Sequence, residues 1–124
     1  MPIAYWCVLI AALLPLGFVA YAKSDAFDDH MPRDAAAQLT GARRRAYAAH
    51  QNGYENFPFF AAAVIISVTM GAPIATVNLL AMLYIVARIA HGVCYIAGLK
   101  PLRTAMFGFG LLLNIAIFVL PAFK

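Results

Sequence analysis

Four apolar runs, at about 3–22, 45–70, 74–97 and 103–123, fill this chain of 124 residues and leave no room for a soluble domain. Each is near the roughly 20 residues an α-helix needs to cross about 30 Å of hydrocarbon. A bilayer offers backbone amides no water, so runs of this length close their hydrogen bonds within themselves as helices. Hydrophobic residues make up 65% of the chain and charged residues 11%, whereas soluble domains carry roughly 25% charged residues. The sequence therefore predicts an all-α, integral membrane four-helix bundle that forms a single domain over 1–124.

Breakers punctuate the runs. Gly71-Ala72-Pro73 reads as a tight turn with Pro73 opening the third helix, and Gly98 to Pro101 ends that helix and launches the fourth. The first connection, 23–45, carries all four aspartates and is expected to be wet and partly irregular. The second run has a short apolar part, 57–70, so its helix is expected to begin in the polar stretch before it, with Arg45 near headgroup level. Ala20-Tyr21-Ala22 resembles a signal-peptide cleavage site, but the absence of a basic lead and the length of the apolar run favour a retained span.

Charge sets the expected orientation. With four spans, Lys23, Arg33, Arg43, Arg44, Arg45, Lys100 and Arg103 fall on one side, which the positive-inside rule makes cytoplasmic, with both termini outside. The net charge of +4 then reads as topology and contact with anionic headgroups. Nucleic acid is not expected as a partner, because no basic stripe with interleaved aromatics lies on a soluble surface. Cys7 and Cys94 are expected to differ in depth by roughly 20 Å at 1.5 Å rise per residue, too far for a disulfide. Neither they nor His30, His50 and His91 have metal-ligand spacing, so no metal site is expected.

The chemistry-bearing residues form two stripes. Taking Arg45 as zero, Asn52 falls near 340° and Glu55 near 280° on a helical wheel, so the three share a face. A carboxylate in a span needs a polar partner or a wet cavity. On the third helix Arg88, His91 and Tyr95 fall within about 60° of one another, at the same end of the bundle. Glu55 is the one carboxylate inside a span, so an Arg88 to Glu55 ion pair is the structural expectation, with the remaining donors free to converge on an anionic ligand. Tyr47, His50 and Tyr54 on the opposite face of the second helix read as packing and capping. Asn78 and Asn114 read as interhelical hydrogen-bond glue, and the phenylalanines and methionines as lipid-facing or core.

The order Arg45-x-x-x-Ala49-His50-x-Asn52-x-x-Glu55-Asn56-x-Pro58 resembles the signature of the MAPEG family, the membrane-associated proteins in eicosanoid and glutathione metabolism. Arg88 with Tyr95 on the third helix, and Pro101-Leu102-Arg103 at the start of the fourth, extend the resemblance across the chain. It implies a left-handed bundle assembled as a homotrimer, with glutathione held between subunits near the cytoplasmic side. Arg45, Asn52, Glu55, Arg88, His91 and Tyr95 would bind glutathione, and Arg103 would be the catalytic residue that holds its sulfur as a thiolate. A lipophilic second substrate would arrive through the membrane lipid. Two positions depart from the family pattern, where Ala48 and His91 replace an arginine and a tyrosine.

Three functions follow as expectations. The leading one is a membrane-embedded glutathione-dependent transferase or peroxidase acting on lipophilic electrophiles, with glutathione as co-substrate. A non-catalytic binding or scaffold protein on the same fold is the alternative. A small proton-coupled transporter is less favoured, since such proteins place an essential acid deep in a first helix that here is uncharged between Met1 and Lys23. The short termini suit a bacterial inner membrane.

Overall fold

The computed structural model describes residues 1–23 and 39–123. The expectation of a wet, irregular first connection falls mostly on 24–38, outside the described residues. Among the described residues the structure is wholly helical: α1 (Ile3–Ala22), α2 (Gly41–Thr69), α3 (Ile74–Ala97) and α4 (Lys100–Val119), which tightens into a 3-10 turn at Leu120–Phe123. α2 starts at Gly41, so Arg43, Arg44 and Arg45 are already helical. α4 starts at Lys100 with Pro101 in its first turn, where a missing N–H costs nothing.

The tight turns take the same form. Gly71 has φ of 81°, its N–H donates to the Val68 carbonyl at 3.1 Å, and the Ala72 N–H donates to the Ser67 carbonyl at 3.0 Å. At the end of α3, Gly98 has φ of 77°, with N–H bonds from Gly98 to Tyr95 (3.1 Å) and from Leu99 to Cys94 (2.9 Å). Both are Schellman closures, which need a left-handed residue that glycine supplies without a Cβ penalty.

α2 and α3 form the centre of the bundle, with α1 packed on both and α4 packed on both from another side. Many of the buried positions are small, with Ala4, Ala11, Ala46, Ala49, Ala63, Ala81 and Ala87 on the interhelical faces beside a few large residues such as Phe60, Tyr84 and Ile117. Large apolar residues such as Trp6, Leu13, Val86, Val93, Leu112 and Phe118 are exposed. That inversion suits lipid, where helices associate by close packing across small residues rather than by expelling water. Asn78 accepts the Ala4 N–H at 2.9 Å, tying the start of α1 to α3. Cys7 and Cys94 are both free thiols.

Three helical stretches are long and apolar enough to cross a membrane: Ile3–Ala22, Ile74–Ala97 and Lys100–Phe123. α2 does not qualify by that measure, in contrast to the four spans expected from sequence. Its 29 residues begin with a polar half running through Arg43, Arg44, Arg45, Asn52 and Glu55, and its apolar half starts only at Phe57. The chain is an integral membrane protein.

α1 and α2 meet at a proline. Pro15 lies inside α1, and a Cβ on Gly53 would stand 2.7 Å from its ring, so only a glycine admits this approach. His50 Nδ1 lies 3.2 Å from the Pro15 carbonyl, and the Tyr54 hydroxyl donates to the Ala12 carbonyl at 3.3 Å. These are the packing and capping contacts expected of that face.

Candidate functional site

A cleft of about 230 Å³ opens between α2, α3 and α4, lined by Asn52, His91, Tyr95, Arg103, Thr104 and Phe107. α4 supplies Arg103 from its first turn, where the Arg103 N–H bonds the Leu99 carbonyl at 2.9 Å. The Arg103 guanidinium carbon stands 4.6 Å from the centroid of the Tyr95 ring. A cation over a tyrosine face is held by the ring quadrupole, and more strongly where water is scarce. Arg103 is thereby fixed at the wall of the cleft.

His91 is 3% exposed and packs its ring between Tyr95, centroids 5.7 Å apart at 80°, and Phe107, 6.2 Å apart at 49°. Its Nδ1 atom is buried with no hydrogen-bond partner among the described residues. Behind the cleft, Arg88 is 7% exposed and donates through Nη2 to Asn52 Oδ1 at 2.6 Å. Arg88 and Tyr84 pack over Gly110, where a Cβ would stand 3.7 Å from Tyr84 and 3.9 Å from Arg88. Asn56 turns back along α2 to donate to the Asn52 carbonyl at 2.9 Å.

Asn52, His91, Tyr95 and Arg103 thus line one cleft, and Arg88 reaches it through Asn52. Arg45 and Glu55 do not line it. Arg45 donates through Nε to the Ile96 carbonyl at 2.9 Å, in the last turn of α3. Such carbonyls lack intrahelical partners and carry the negative end of the helix dipole, so a guanidinium is a natural cap. Glu55 is exposed on the chain and makes no ion pair or hydrogen bond among the described residues. The Arg88 to Glu55 pair expected from sequence is replaced by Arg88 to Asn52: Asn52 is half-buried and within reach of Arg88, whereas Glu55 is exposed.

Two lining residues have no place in the sequence stripes. The apolar setting assigns Phe107 to lipid or core, yet it lies four residues after Arg103 and so shares its helix face. Thr104, next to Arg103, carries no signal that separates it from other polar residues near a helix start.

A family-level comparison settles the relationship. The model of the MAPEG family matches residues 3–123, nearly the whole chain. The chain belongs to the MAPEG family. Membership in MAPEG supports a membrane function in glutathione or eicosanoid chemistry at the level of the family. No curated protein and no solved structure matches the chain.

Proposed function

We propose that this MAPEG protein is a membrane-embedded, glutathione-dependent transferase or peroxidase that acts on lipophilic electrophiles through a stabilised thiolate. The observation that carries the reading is Arg103, held over Tyr95 on the wall of a cleft that also presents Asn52, His91 and Thr104. Peptide amides and carboxylates need donors and acceptors of this kind, and sulfur needs a cation.

Magnitudes support the assignment of Arg103. A thiol of pKa about 8.5 is only about 3% ionised at pH 7, and lowering it by about 2.5 units requires about 3.4 kcal/mol. A unit charge about 4 Å away supplies about 4 kcal/mol at an effective dielectric near 20. One well-placed guanidinium is therefore enough to make the nucleophile, which then attacks an apolar electrophile delivered from the bilayer.

The assembly that suits this reading is a left-handed bundle in a homotrimer, with glutathione between subunits. The exposed Glu55 favours it, since a carboxylate left uncovered on a helix of a membrane bundle calls for cover by a partner. There Glu55 would accept from the glutamyl ammonium. A cytoplasmic placement of the basic end, in a bacterial inner membrane, accords with the positive-inside rule. Nucleic acid plays no part in this reading.

A second reading, a non-catalytic membrane binding protein, is favoured by the engagement of Arg45 with Ile96 and by Glu55 standing away from the cleft. Ultraviolet titration of glutathione thiolate at pH 7, on purified protein and on Arg103→Ala, separates the two. Stoichiometric thiolate that disappears in the variant supports the enzyme; binding without thiolate, or no binding, removes it.

A further inference from the structure

Arg88 is buried with fewer partners than its chemistry calls for. A guanidinium carries donors on every nitrogen and no acceptor, and it stays charged in a protein. Arg88 is 7% exposed and, among the described residues, has no carboxylate partner and donates one hydrogen bond, to Asn52. Charged donors left over in an interior are costly unless something accepts from them. A cavity of about 10 Å³ adjoins this side chain, bounded by Ala11 and Pro15 of α1, Gly53 of α2, and Tyr84 and Arg88 of α3. It shares no lining residue with the cleft. The α1 side of the cavity brings an acceptor. Pro15 has no N–H, so the Ala11 carbonyl, one turn before it, loses its helical donor. The nearby carbonyls of Ala12 and Pro15 have side-chain partners in Tyr54 and His50, whereas that of Ala11 has none among the described residues.

We infer that this cavity is the site of a structural water that accepts from Arg88 and donates to the Ala11 carbonyl, tying α1 to the residue that fixes Asn52. Size and polarity select the ligand. A volume of about 10 Å³ is room for a single water, which needs at least two polar partners. A halide is larger, and it would meet the negative end of the Ala11 carbonyl dipole as well as the guanidinium. Water both accepts and donates, which is what this pair of groups requires. The bridge also has a consequence for the cleft. α1 lends the cleft no residue, yet the chain of contacts runs from its proline through Arg88 to Asn52 on the cleft wall. The inference concerns the bundle itself and holds whatever ligand the cleft takes.

X-ray footprinting reads such a water directly, because irradiation splits water where it is bound and the radicals add oxygen to the side chains beside it. Tyr84 and Phe60 make a matched pair: their rings stack with centroids 4.0 Å apart, they are 2% and 0% exposed, and Tyr84 borders the cavity while Phe60 does not. In protein held in lipid nanodiscs, Tyr84 is expected to gain oxygen while Phe60 stays unlabelled. Ala11→Val, which fills the cavity, is expected to remove the Tyr84 label. Equal protection of Tyr84 and Phe60 in the wild type overturns the inference, and that comparison decides the matter even where the variant fails to fold. A Tyr84 label that persists in folded Ala11→Val places the water elsewhere and overturns it as well. Replacing gluconate by chloride at constant ionic strength is expected to leave the label unchanged; a label lost in chloride makes the occupant an anion and overturns the water.

Discussion

The Arg88 guanidinium donates to the Asn52 side-chain oxygen at 2.6 Å, and this contact joins the centre of α3 to the polar half of α2. A buried cation here rests on a neutral acceptor, with the nearest carboxylate on α2, Glu55, turned outward. The contact therefore does two things: it satisfies a costly buried charge, and it fixes the amide that lines the cleft.

Removing the acceptor should be expensive. Asn52→Ala leaves Arg88 buried with its partner gone, and is expected to cost about 3 kcal/mol. Asn52→Asp supplies a carboxylate at the same place and should retain the fold. Thermal unfolding in detergent distinguishes these outcomes, and equal midpoints for wild type and Asn52→Ala would show that the contact contributes nothing.

Much of the architecture was legible in the residues because membrane helices are dictated by length and polarity, and because glycine and proline mark their ends. Gly71, Gly98 and Pro101 stand at the helix boundaries for that reason. The site was legible only as helix faces. A wheel puts Arg45, Asn52 and Glu55 on one stripe, but a stripe about 80° wide spans both a buried and an exposed side of α2. Which side faces α3 depends on how Pro15 of α1 seats against Gly53 of α2, a tertiary contact with no periodic signature. For the same reason Arg45 reads as a ligand residue in sequence, while the carbonyl it caps, on Ile96, lies 51 residues away.

Gly92 tests the closeness of α1 and α3. A Cβ there would lie 2.0 Å from Phe18 Cζ, with two further ring atoms within 2.7 Å, so the whole ring must move. Gly92→Ala is expected to destabilise the bundle by about 1–3 kcal/mol. In a Phe18→Ala background the same change should cost almost nothing. Comparable losses in both backgrounds would exclude the ring as the obstacle.

Arg45 separates a helix cap from a ligand contact. Loss of its bond to Ile96 in Arg45→Ala is expected to lower stability by about 1–2 kcal/mol, with Arg45→Lys recovering part of that. Glutathione affinity of the folded variant should stay close to wild type. A large loss of affinity with unchanged unfolding would instead make Arg45 a ligand residue.

Tyr95 holds Arg103 by its ring face rather than by its hydroxyl, and the two contributions can be separated. Tyr95→Phe keeps the aromatic face at 4.6 Å from the guanidinium carbon, so thiolate yield should be preserved. Tyr95→Leu removes the face while keeping apolar bulk, which frees Arg103 to leave the cleft wall. A cation over a ring contributes about 0.5–2 kcal/mol, so the apparent binding constant for thiolate should fall by about 2- to 30-fold. The ultraviolet titration that tests Arg103 measures both variants. Should Phe fail as badly as Leu, the hydroxyl rather than the ring is what the bound thiol needs, and Tyr95 acts on the ligand directly instead of through Arg103.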